Sequence, residues 1–149
     1  MRYLWMLLMM CLFTSTYATD AQSTSSLPIN MDHVQYWMKI LDTHPMAIYR
    51  KQAARYLGAM QNDIANPSLI KCLSDSNEDV RIQCAYSLGR LGDQTSLRPL
   101  YELIQNSSSP QVKSAAKSSI DKINAHEEFE RQRKQKLREL QLEKTSSAN

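Results

Sequence analysis

Three segments of this chain place a serine and a lysine one helical turn apart: Ser68 with Lys71, Ser114 with Lys117, and Ser119 with Lys122. At that spacing a lysine amine can take the proton from a serine hydroxyl and turn it into a nucleophile. Such a site also needs Ser-Asp-Asn and Lys-Thr-Gly segments, and neither occurs. A chain of 149 residues is in any case too short for the fold that houses it. In a Ser- and Lys-rich sequence, three matches are what chance supplies. The histidines offer no more. His126-Glu127 is the one His-Glu pair, it falls in a polar tail, and His33 and His44 lie far from it. There is no Gly-rich phosphate loop, Cys/His cluster or nucleophile elbow. The expectation is a chain with no catalytic residue, no metal site and no cofactor.

The cysteines belong to a different question, the compartment. Arg2 precedes an unbroken apolar run, Tyr3 to Phe13, followed by small and polar residues through Ala18. A hydrocarbon core needs about 20 apolar residues, whereas export signals carry cores of about 7–15, and this run falls in the second range. Small side chains at Thr16 and Ala18 suit signal peptidase, so cleavage is expected after Ala18, with Ala21 as second choice. An uncleaved interfacial anchor is the alternative. Met9-Met10 before Cys11 lacks the small residues of a lipoprotein signal. Residues 1–18 are thus read as a cleaved signal peptide and the protein as periplasmic or secreted. Removing Arg2 lowers the formal charge from +3 to about +2, too little to argue nucleic-acid binding. Cys72 and Cys84 remain in a compartment where thiols can oxidise. They align with Leu103 and Ala53 of neighbouring units, which reads first as packing. A disulfide between two helices of one hairpin is the alternative.

The rest of the chain repeats. Residues 19–31 form a Ser/Thr-rich leader without apolar periodicity, but from residue 32 a pattern sets in. The interval from Arg50 to Arg81 recurs unchanged from Ala54 to Ala85, Leu57 to Leu88, Gly58 to Gly89 and Leu69 to Leu100. Val80 and Arg81 return as Val112 and Lys113, one position later than that interval. A fixed period of this length means stacked supersecondary units. In the middle unit, Asn66-Pro67 opens a helix with Leu69, Ile70 and Leu73 on one face. Asp75-Ser76-Asn77 breaks it, and a second helix buries Val80, Cys84, Ala85, Leu88 and Leu91 before Gly92-Asp93 stops it. The first unit opens with Trp37, Met38 and Leu41 and turns at His44-Pro45. The third starts near Ser96 and closes with Val112, Ala116, Ile120 and Ile123. The pairs Ala53-Ala54, Cys84-Ala85 and Ala115-Ala116 recur where hairpins must approach closely. Beyond residue 124 the apolar stripe fades, leaving a charged helical tail over 125–149.

The segment 78–93, EDVRIQCAYSLGRLGD, resembles the short HEAT-like repeats first described in phycobilisome lyases. Val80-Arg81, Cys84-Ala85, Leu88-Gly89 and Gly92-Asp93 carry the resemblance; residues 46–63, without the Gly-Asp turn, and 110–124 match more loosely. The resemblance implies an all-α fold over residues 32–124: a short right-handed α-solenoid of about three helical hairpins. Its period is shorter than the usual HEAT length, but neither the ankyrin nor the tetratricopeptide signature is present. Pigment-attaching members of that family work in the cytoplasm, which the export signal opposes. Iron-binding HEAT-like hydroxylases use several His-Glu pairs, and this chain has one.

Function is expected on the surface. Arg50, Arg81 and Lys113 recur either as a basic binding ladder or, preferred here, as ties to turn carboxylates such as Asp75 and Asp79. The tail's Arg131, Arg133, Lys134, Lys136 and Arg138 are interspersed with glutamates and read as a solvated helix rather than an anion-binding patch. Asn106-Ser107-Ser108 is a glycosylation sequon, meaningful in an exported eukaryotic chain. Gln52, Arg55, Tyr56, Gln83, Tyr86 and Arg90 should line the inner face of the solenoid, the usual contact face of such stacks. The expected role is a non-catalytic protein-protein interaction module. Its partner would be another protein, with no specific nucleic acid and no membrane-spanning mature chain. A structural subunit of a cell-envelope complex is the first alternative and a lyase-type enzyme the second.

Overall fold

Gln61 has a left-handed backbone, φ 48° and ψ 41°, and ends one helix; Gly92, one repeat later, has φ 73° and ends the equivalent one. The next residues also act alike. The Asn62 side chain accepts from the Ile64 N–H at 3.0 Å, and that of Asp93 from the Thr95 N–H at 2.9 Å. The first repeat therefore makes the same turn as the second although it lacks the Gly-Asp pair. Each capped residue opens a short 3-10 turn, Asp63–Ala65 and Gln94–Ser96, which feeds the next hairpin.

The computed structural model describes the backbone of residues 29–147 and the side chains of 33–144. The expected export signal and most of the leader lie outside the described residues. Residues 33–149 form one compact unit. The helices are α1 (Ile29–Thr43), α2 (Ala47–Met60), α3 (Asn66–Cys72), α4 (Glu78–Leu91), α5 (Leu97–Asn106) and α6 (Pro110–Ser147). Among the described residues there is no strand. The chain is an all-α solenoid of three hairpins, α1–α2, α3–α4 and α5–α6.

Local chemistry fixes where the helices begin. The Asn77 side chain accepts from the Val80 N–H at 3.2 Å, and Glu78 and Asp79 stand in the first turn, where the helix dipole favours negative charge. Buried Asn66 joins consecutive turns: its amide donates to Asp93 Oδ2 at 2.6 Å and Thr95 Oγ1 at 2.8 Å, and its oxygen accepts from Ser96 Oγ at 2.8 Å.

The core follows the repeat period. Leu57, Leu88 and Ile120 are buried at equivalent places on the second helices, as are Ala53, Cys84 and Ala116. Leu69, Leu73 and Leu100 fill it from the first helices, while Ile70 and Leu91 are half-buried. Close approach falls at the glycines. A Cβ on Gly58 would stand 2.6 Å from Ser87 Cβ, and one on Gly89 2.8 Å from Ser119 Cβ, so α2 meets α4, and α4 meets α6, through Gly–Ser contacts. Ser87 Oγ also donates across the first of these to the Ala54 carbonyl at 2.7 Å. Cys72 and Cys84, both buried, are joined by a disulfide that crosslinks α3 to α4 within the middle hairpin. The last helix runs unbroken from the third repeat into the charged tail, where residues 124–144 are exposed save half-buried Glu130.

Candidate functional site

The second helices leave a shallow groove at each junction. Between α2 and α4 it has a volume of about 350 Å³ and is lined by Ile48, Lys51, Gln52, Arg55 and Gln83. Between α4 and α6 it measures about 500 Å³ and is lined by Ile82, Tyr86, Pro110, Gln111 and Ser114. The two share part of their register: Lys51 and Arg55 of the first correspond, one period on, to Ile82 and Tyr86 of the second, whereas Gln83, the counterpart of Gln52, lines only the first. Their chemistry differs. The first carries two cations beside Ile48, which is 61% exposed. The second carries the apolar Ile82 and the Tyr86 ring, with the Lys122 ammonium 5.8 Å from its centroid. A Lys51–Asp79 ion pair of 2.9 Å links α2 to α4 beside the first groove, with both side chains largely exposed.

The six residues expected on this face are therefore divided. Gln52, Arg55 and Gln83 share the first groove and Tyr86 lies in the second. Arg90 is exposed on the last turn of α4 and lines neither. Tyr56 is half-buried and packs on Trp37 with ring centroids 4.5 Å apart, and Trp37 in turn meets Tyr36 edge-on. Gln52 Nε2 donates to its hydroxyl oxygen at 3.5 Å and the Arg55 guanidinium lies 5.4 Å from its ring. Those two neighbours, Gln52 first, lower the Tyr56 pKa from its ordinary value. Lys51, Ile48 and Ile82 were missed by the sequence reading. The period held the signal: Lys51 and Ile82 stand one turn before Arg55 and Tyr86.

On the other side, one of the three recurring basic residues, Arg50, ties two units together. Arg50 Nε and Nη2 donate to Asp75 Oδ2 and Oδ1 at 2.7 and 2.8 Å, and its Nη1 donates to the His44 and Pro45 carbonyls, each at 2.9 Å. The side chains are 13% and 10% exposed. The Arg50 hydrogen bonds hold the Asp75 carboxyl below the usual carboxylate range against the opposing effect of burial, helped by the Asn77 N–H. Lys113 is exposed.

The serine-lysine pair does not assemble a nucleophile. Ser68 Oγ and Lys71 Nζ both turn to Asp42, at 3.5 and 3.3 Å. His44 stacks on Tyr49, its Nδ1 accepting from the Met46 N–H, and His126 lies over Gly92. Among the described residues no three His, Cys, Asp or Glu side chains are grouped so as to hold a metal ion. No described helix is long and apolar enough to cross a membrane.

Comparison with known proteins agrees with this architecture. The chain is 43% identical over 60 residues to the bilin biosynthesis protein PecE of Nostoc sp., a stretch that is 39% of this chain. It spans only 23% of that relative's length. The model of HEAT repeats matches residues 34–121, from the core valine of α1 into the last helix of the third hairpin. With more than half of its length so matched and the helices stacked as described, this chain belongs to the HEAT-repeat family.

Proposed function

We propose that this protein is an exported, non-catalytic interaction module that binds another protein along the grooves between its second helices. The observation that carries this is a groove at each junction of the second helices, with Arg55 in the first and Tyr86 at the equivalent position in the second. A partner segment following the stack would meet a cationic groove and then an aromatic one, and Arg and Tyr are residue types that concentrate binding energy at interfaces. Export is supported by the apolar run from Tyr3 to Phe13 and by the Cys72–Cys84 bridge, a linkage that persists in oxidising compartments. The test is capture from the native envelope or secreted fraction. Arg55→Ala and Tyr86→Ala should each weaken capture about tenfold, equivalent to ~1.4 kcal/mol. Unchanged capture by both variants would remove the groove from consideration.

One observation favours a second reading, a subunit of a cell-envelope assembly. Phe129, Leu137 and Leu140 on the helical extension are between 42% and 61% exposed, which suits a helix laid against another subunit. A mass that rises with concentration would favour this reading over a free adaptor. The bilin-biosynthesis relative keeps a pigment-related enzymatic role as a third reading, resting on 23% of that protein, and screening for bilin binding addresses it.

A further inference from the structure

Arg50 and Arg81 occupy the same position in consecutive repeats and are anchored in the same way. In each, Nη1 donates to two carbonyls of the preceding turn: His44 and Pro45 for Arg50, Asp75 and Ser76, at 2.8 and 3.1 Å, for Arg81. The opposite edges differ. Arg50 grips the Asp75 carboxylate with Nε and Nη2, whereas those atoms of Arg81 make no hydrogen bond or ion pair among the described residues. The position equivalent to Asp75 is Ser107, whose Oγ accepts from the Ser109 N–H at 3.2 Å as Asp75 Oδ1 accepts from the Asn77 N–H at 2.8 Å. It carries no carboxylate and lines the same cleft as Arg81. That cleft, between α3 and α5, has a volume of about 540 Å³, against about 420 Å³ for the equivalent cleft that holds Arg50 and Asp75. Ile70, Leu73 and Leu103 supply apolar wall. Glu102 lines it too, but its Oε1 is engaged by Arg98 Nε at 2.9 Å.

We propose that Arg81 is a docking site for a carboxylate brought by another polypeptide, an Asp or Glu side chain with an apolar neighbour, seated on Nε and Nη2 as Asp75 is seated on Arg50. The inference rests on the interaction-module reading and adds a second contact on the opposite side of the stack. A planar guanidinium presents two parallel N–H donors that match the two oxygens of a carboxylate. Arg81 is half-buried and already fixed by two carbonyls, so little freedom remains to be lost when the ligand arrives. The Arg50–Asp75 pair shows the geometry with this fold's own residues, and the apolar wall selects the neighbour.

Nuclear magnetic resonance of the Arg81 Nε–H in the full chain tests this with three probes: a capped Leu-Asp-Leu peptide, the Leu-Asn-Leu peptide and inorganic phosphate. The aspartyl peptide should shift the resonance saturably at about millimolar concentration. The asparaginyl peptide should bind at least tenfold more weakly. Ser107→Asp, which supplies the carboxylate from within, should abolish the response and raise the melting temperature; Arg81→Gln should abolish binding as well. No shift at about 10 mM, equal binding of both peptides, or undiminished binding by Ser107→Asp would overturn the proposal. Phosphate acting as well as the aspartyl peptide would overturn it in favour of a general anion site. A silent Arg81 beside partner capture that needs Arg55 and Tyr86 would sink this inference alone. A responsive Arg81 in a chain that captures no protein would sink the interaction-module reading instead.

Discussion

Gln61 adopts the conformation that Gly92 adopts at the equivalent helix end, and a Cβ makes that conformation unfavourable by about 1–2 kcal/mol. Glycine has no such penalty but is freer in the unfolded chain, so Gln61→Gly should stabilise the protein by about 0.5–1 kcal/mol, read as a rise in denaturant midpoint at constant slope. Asp75 makes a pH prediction. Its pKa is lowered in the fold, chiefly by the Arg50 hydrogen bonds. Its stabilising effect is then complete above the unfolded-state pKa of about 3.9 and is lost as pH falls through the lower folded value. Asp75→Asn should lower stability by about 2 kcal/mol near neutrality, less than loss of a fully buried partner, because both side chains keep some contact with water. The difference from the unaltered protein should hold down to about pH 4 and shrink below it. Denaturation curves between pH 7 and pH 2 would show it, and a constant difference across that range would contradict it. The tie itself was legible, because a basic residue repeating once per period near turn carboxylates has an obvious partner. The strained turn was not, since nothing about glutamine favours a left-handed backbone and only its register with Gly92 betrays it.

At the scale of helices, the junctions depend on Gly58 and Gly89. In a helix interior glycine is less favourable than alanine by about 0.8–1 kcal/mol, yet an added Cβ would collide with the serine opposite. Gly58→Ala should therefore destabilise by about 1–3 kcal/mol, the usual range for overpacking. Adding Ser87→Gly should recover part of the loss, and a double-mutant cycle from thermal melts would measure that coupling. The glycines stood out in the sequence because they recur with the period. Their partners Ser87 and Ser119 also recur, at the third unit's interval, but a pattern within repeats does not say which residue faces which across a junction. Tyr56 shows the same limit. Grouping it with Tyr86 ignored the register, which pairs Tyr86 with Arg55 and Tyr56 with Ser87; one residue along a helix turns a side chain by about 100°. That step moves Tyr56 from the groove onto Trp37.

For the molecule as a whole, the middle hairpin is the one closed covalently. A crosslink between cysteines 12 positions apart restricts the unfolded chain by roughly 3 kcal/mol, so reduction should lower unfolding stability by about 2–3 kcal/mol. Denatured without reductant, the full chain should expose one reactive thiol, Cys11, and a chain cut after Ala18 none; thiol titration distinguishes these outcomes. Fold class was readable because three hairpins share one hydrophobic period. The groove was only half readable, because its walls come from two repeats at once. The bridge also governs how the protein yields to tension. A pull along the chain can peel the outer hairpins, but it cannot draw out the residues between Cys72 and Cys84. Stretched from end to end, the oxidised molecule should fall short of the reduced one by about 35 Å, twelve residues at ~3.3–3.6 Å each less the 6.0 Å Cα–Cα span of the bridge, and that hidden length would appear only when a reductant is added.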